Sequence, residues 1–126
     1  MIRNRRTPRL LILLALAALA GCARSEKPAV ETIHLRATVR EVGLLASFSG
    51  QAILVDFDPN FVLTVRIESA APALANFPAH GIVTFAIHSP ARLFRGDPQP
   101  GKTYDFTVRR EVRDGRVRFS DLEVGG

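Results

Sequence analysis

The sequence predicts an all-β domain, a small barrel of five or six antiparallel strands. Three observations predict it. From residue 32 onward apolar residues recur at every second position, the period of a strand buried on one face. No sustained 3.6-residue amphipathic stripe follows residue 20, so helix is scarce. Six strand-like segments and one short helical insert fall within the last 95 residues. That density suggests a closed or nearly closed sheet, which suits a short chain because closure hides sheet edges.

The chain opens on a basic stretch, Met1 to Arg9, and continues as an unbroken apolar run from Leu10 to Ala20. Such a run is too short to cross a bilayer, which takes about 20 residues. Its length and flanks are those of a secretory signal, read here as an N-terminal signal helix. Small residues follow, and then the only cysteine of the chain.

Leu19-Ala20-Gly21-Cys22 resembles the lipobox of bacterial lipoproteins. The resemblance covers residues 1 to 23 alone. It implies that the Cys22 thiol receives a diacylglyceryl group and that a dedicated signal peptidase cuts before it. It also implies that the new amino group is usually acylated. Residues 1–21 are then a signal peptide, and Cys22 is the lipid attachment site of the mature chain. At about 0.8 kcal/mol per buried CH₂, one acyl chain anchors marginally, whereas two or three hold a protein on a membrane. Ala23 stands where an aspartate tends to retain Gram-negative members of the class at the inner membrane. The resemblance therefore implies the cell envelope, at an outer membrane facing the periplasm where the organism has one.

Residues 23–31 are polar, mixed in charge and carry a proline. They read as a flexible tether behind the lipidated Cys22. These nine residues reach at most about 30 Å and keep the β domain, assigned to 32–126, near its membrane.

Within that domain Ile33, Leu35, Ala37 and Val39 alternate with polar residues. Phe61 to Glu68, Val83 to His88 and Tyr104 to Arg109 do the same. Ala52 to Phe57 is a further apolar strand. Val117 to Val124 is the last, with a phase slip that a bulge near Ser120-Asp121 would reconcile. Asp114-Gly115 is a two-residue hairpin turn. It sets Val112 opposite Val117 and Glu111 opposite Arg118, the second an opposite-charge pair. Pro72 to Asn76 has room for one or two helical turns. Ser89-Pro90 reads as an N-cap with proline at the first helical position, the turn ending near Gly96.

This arrangement is similar to the OB-fold, a five-stranded barrel with an insert between its third and fourth strands, here residues 70 to 81. The likeness is to an architecture and rests on no motif. A small β-sandwich is the alternative.

The formal charge of +5 is misleading. All 12 acids lie beyond residue 22, together with 13 of the 17 basic residues, so the mature part carries only +1. That balance, with export, argues against nucleic acid as a partner. A single cysteine excludes an internal disulfide and a cysteine-based zinc site.

Several residue patterns hint at chemistry. Asp56, Asp58 and Asn60 open like a calcium loop, but Phe61 and Ile67 stand where glycine and glutamate are required. A strand-strand turn explains them better. His34, His80 and His88 show no metal-ligand spacing. His88-Ser89 lacks a third triad member and a nucleophile elbow. Gly96 to Thr103 has P-loop spacing, but two prolines remove N–H donors and a strand follows.

Arg36, Arg40, Arg66, Arg109, Arg116 and Arg118 occupy outward strand positions. They could line a face for an anionic partner such as a glycan or lipid headgroup, or form a solvated face with ion pairs. Outward aromatics are not expected, since the predicted Phe positions point inward.

The resulting expectation is a lipid-anchored envelope protein whose β domain binds or assembles without catalysis and needs no cofactor or metal. Its partners would be the membrane through Cys22, an envelope protein through a sheet edge, or an anionic polymer on Arg36, Arg40, Arg66, Arg109 and Arg118. The alternatives are a small envelope hydrolase or metal-dependent accessory domain, and a passive structural lipoprotein.

Overall fold

The computed structural model describes residues 29–125. The stretch read as a signal peptide, Cys22 and the first part of the stretch read as a tether lie outside the described residues. Six strands form one sheet: β1 (Ala29–Leu44), β2 (Ile53–Leu54), β3 (Phe61–Ala71), β4 (Ile82–Ile87), β5 (Thr103–Arg113) and β6 (Arg116–Val124). One helix, α1 (Pro90–Phe94), lies between β4 and β5. The strand order is β2-β4-β3-β1-β5-β6.

The sheet curls into a half-barrel, and β1 is the reason. It has 16 residues and serves two partners, β5 along residues 29–38 and β3 along residues 34–44. Two irregularities bend this ladder. Glu68 is an extra residue on β3, and Arg40 is an extra residue on β1. Each bulge sharpens the local right-handed twist and turns the sheet on itself. Alternation then sends Ile33, Leu35, Ala37 and Val39 inward to meet Leu63, Val65, Phe85, Phe106 and Val108 in one buried core.

Both local signals near the C-terminus hold. Asp114 and Gly115 have φ of 51° and 75°, the primed geometry that matches strand twist. Val112 pairs with Val117 and Glu111 with Arg118, as the turn requires. Between Ser120 and Glu123 the ladder slips, so that Asp121 and Leu122 together face Val108. Asp121 takes up the bulge at φ 52°, a conformation that Asp tolerates better than most residues. The slip returns Leu122 to the core beside Phe119.

The structure corrects five expectations. The sheet is mixed rather than antiparallel, because β2 runs parallel to β4. The all-β class and the six strands hold, but the curl stops at a half-barrel, its ladder not closing among the described residues, and with a single curled sheet the alternative sandwich is not formed. The apolar segment Ala52 to Phe57 yields only two strand residues, Ile53 and Leu54. β1 begins at Ala29, inside the stretch read as a tether. Ala29, Val30 and Glu31 pair with Val112, Glu111 and Arg110, and the Glu31 carboxylate accepts from Arg110 at 3.0 Å; the charges and proline just before them concealed the start of the strand. Finally, residues 72–81 form no helix. The helical insert is α1, after β4, where Ser89 accepts from the Arg92 N–H at 3.2 Å and Pro90 opens the helix.

The loop after β3 instead supplies a core residue. Phe77 is 2% exposed. Its ring lies 6.0 Å from Phe85 on β4 and 5.2 Å from Phe119 on β6. Phe77 thus bridges the β4 side of the curl to β6 with side-chain contacts, where no ladder does so. Gly81 anchors the same loop, since a Cβ there would lie 2.6 Å from the Pro78 ring. We expect Phe77→Ala to lower stability by about 3–5 kcal/mol, read from denaturant unfolding.

Candidate functional site: the seam beside β6

Among the described residues β6 has one sheet partner, β5. Its other edge faces β2 and the loop that follows, with no ladder between them. Two adjoining hollows run along this edge. One of about 820 Å³ lies between residues 53–59 and residues 117–121. The other, of about 710 Å³, lies between Leu122, Glu123 and Val124 of β6 and residues of α1 and its cap. Asp56, Phe57 and Asp58 border both.

Phe57 is the landmark of this trough. It is 96% exposed, two residues beyond the buried Val55. Leu54 and Val117 are also exposed, at 59% and 47%. All three line the same hollow, and apolar exposure gathered in one groove, rather than scattered singly, is what marks an interaction surface. The expectation that phenylalanines point inward fails here. A signal was available: the turn residues Asp56, Asp58, Pro59 and Asn60 surround Phe57, and a turn has no inner face.

The structure brings Asp56, Asp58, His88 and Ser89 to one groove. The Asp56 carboxylate accepts the main-chain N–H of His88 at 2.8 Å. The His88 Nδ1 lies 3.1 Å from the Asp58 carbonyl oxygen. A carbonyl only accepts, so Nδ1 is the donor in this contact. Asp58 holds φ 57°, which aims that carbonyl at the ring. These bonds tie the Asp56–Asn60 turn to the end of β4. Among the described residues no carboxylate bonds to the imidazole, and Ser89 is engaged as the helix cap, so these residues do not make the contacts of a triad. Among the described residues no three His, Cys, Asp or Glu are grouped to hold a metal ion.

The other histidines lie elsewhere. His34 is exposed on β1, opposite Ala71 and Thr107. His80 accepts from the Arg66 guanidinium at 3.3 Å through Nδ1. The Gly96–Thr103 segment is a strand-entry loop, its backbone engaged with β1. Gly101 N–H donates to the Val39 carbonyl at 2.7 Å, and Val39 N–H to the Lys102 carbonyl at 2.9 Å.

The outward arginines alternate with acids. Arg36 stands opposite Asp105. Arg66 pairs with Glu68 at 3.4 Å and shares a hollow with Arg40. Arg109 lies 3.8 Å from Asp121. Arg118 stands opposite Glu111, although Glu111 makes its ion pair with Arg113 at 3.5 Å. The face is a mosaic of both signs.

Comparison with protein families, with curated proteins and with solved structures finds no match to this chain. The site therefore rests on its own geometry. Asp56→Ala should free the His88 amide, speeding its hydrogen exchange and lowering stability by about 1 kcal/mol.

Proposed function

We propose that this protein is a lipid-anchored envelope protein, held by acyl chains on Cys22, whose β domain is a binding module. It recruits another envelope protein by accepting an extended segment along the free edge of β6. The observation that carries this reading is the trough itself. An unpaired strand edge offers backbone donors and acceptors in a row, and a neighbouring apolar surface offers side-chain recognition. Phe57 and Leu54 supply that surface, and aromatic residues, phenylalanine among them, are enriched at the core of protein interfaces.

The strand order supports an OB-like reading of the same module. Omitting the two-residue β2, the long strands lie in the order β4-β3-β1-β5-β6, with α1 between the third and fourth of them along the chain. The OB architecture binds its ligands against the loops that join its first two and last two strands. Here Phe57 belongs to the first of those loops, and Asp114-Gly115 is the second. The mosaic of charge on the outward face favours the edge over an anionic polymer on Arg36, Arg40, Arg66, Arg109 and Arg118.

A hydrolase or metal-dependent role draws on the groove shared by Asp56, Asp58 and His88. It would require the His88 Nε2 to act without a carboxylate partner. A passive structural role would leave the trough without an occupant.

Two experiments test the proposal. Cys22→Ser should abolish incorporation of labelled palmitate and release the protein from the membrane fraction; a Cys22→Ser protein that still takes up palmitate overturns the anchor. A pull-down from detergent-solubilised envelopes should retain a partner on the wild-type protein and lose it on Phe57→Ala. A hot-spot residue of this kind corresponds to roughly a 30-fold loss of affinity. The exposed ring contributes within about 0.5 kcal/mol to stability, so unchanged thermal unfolding accompanies the expected loss. Equal capture by both proteins overturns the role of the trough.

A further inference from the structure

We infer that the β5–β6 hairpin tip is the membrane-facing end of the domain and rests on anionic lipid headgroups. The inference rests on the anchored reading of Cys22 and adds an orientation and a lipid preference to it.

The register supplies the first argument. Ala29, the first residue of β1, pairs with Val112, and Val112 pairs with Val117. The point where the chain enters the domain therefore lies beside the hairpin tip. Six residues lie between Cys22 and Ala29, and the resulting seven steps along the chain span at most about 25 Å in any conformation. Far along the bent β1, Leu44 pairs with Phe61, and Pro98 and Pro100 of the loop after α1 share a hollow with Phe61. The tip is the part of the domain held closest to the acylated residue.

Charge supplies the second. Arg113 and Arg116 stand directly opposite each other across the first pair of the hairpin. Like charges so placed destabilise a ladder, and the fold gains nothing visible from them. Arg113 has Glu111 at 3.5 Å. Among the described residues no ion pair forms to Arg116 or Arg118. These three arginines, with Val117, Glu111 and Asp114, line a concavity of about 800 Å³. Phosphate headgroups would relieve the repulsion between Arg113 and Arg116, because a guanidinium binds phosphate through two parallel hydrogen bonds. Basic residues close to a membrane anchor favour anionic lipid in the same way.

Apolar exposure supplies the third. Val30 and Val117 are 48% and 47% exposed, and both lie within two ladder positions of Ala29 and the turn. Small apolar side chains among arginines suit the boundary between headgroups and acyl chains.

The chain contains no tryptophan, so a single introduced indole reports depth. Lipidated full-length protein carrying Val117→Trp or Asp97→Trp is reconstituted into vesicles of phosphatidylglycerol and phosphatidylcholine with a headgroup-level spin-labelled quencher. The Val117→Trp indole should be strongly quenched and the Asp97→Trp indole scarcely at all. Quenching at position 117 should fall in pure phosphatidylcholine, and also when Arg113, Arg116 and Arg118 are all changed to Gln. Equal quenching at both positions, or quenching at 117 indifferent to lipid charge, overturns the inference while Cys22 is shown to be acylated by mass spectrometry of the same sample. An unacylated Cys22 overturns the anchor, and this inference with it.

Discussion

The two edges of the sheet meet through side chains rather than through backbone hydrogen bonds. Phe77 lies between Phe85 and Phe119, and Val55 and Leu122 complete the buried surface at the gap. A sheet of this width that curls without closing must either bury its last strands or leave them exposed. This chain does both. Apolar contacts seal the core beneath the seam, while among the described residues the outer edge of β6 has no ladder. That division lets a small domain bury its core while one strand edge keeps no ladder partner among the described residues.

Curling itself is set by β1. A strand of 16 residues shared between two neighbours has to bend, and the extra residues Arg40 and Glu68 supply the bends. The ion pair of Glu31 with Arg110 at 3.0 Å fastens the start of that strand to β5. It fixes the point where the chain enters the domain beside the hairpin tip. The same geometry leaves the seam along β6 accessible from the side.

What could be read from the sequence was local. Asp-Gly at 114–115, the parity slip at Asp121 and the Ser89-Pro90 cap each follow from the conformational needs of one or two residues, and each is where it was expected. Long-range pairing was not legible in the same way. Ala52 to Phe57 reads as a strand by composition, yet only Ile53 and Leu54 find a partner, in parallel with β4. Phe77 sits in a stretch that resembles an insert, and its burial depends on β4 and β6 arriving from elsewhere. Phe57 has the identity of a core residue and lies outside because the turn around it has no interior. Asp56 and His88 are 32 residues apart, and nothing in either local pattern pairs them.

The central claim is that β6 carries an open edge that a partner segment can extend, and amide hydrogen exchange along β6 tests it most directly. Alternate amides of a strand point to opposite neighbours. If the edge is open, the β6 amides directed toward β5 are protected and those directed toward the seam exchange quickly. Uniform protection along Arg116–Val124 in the isolated protein would contradict the account, because it would mean that the seam is already bonded shut.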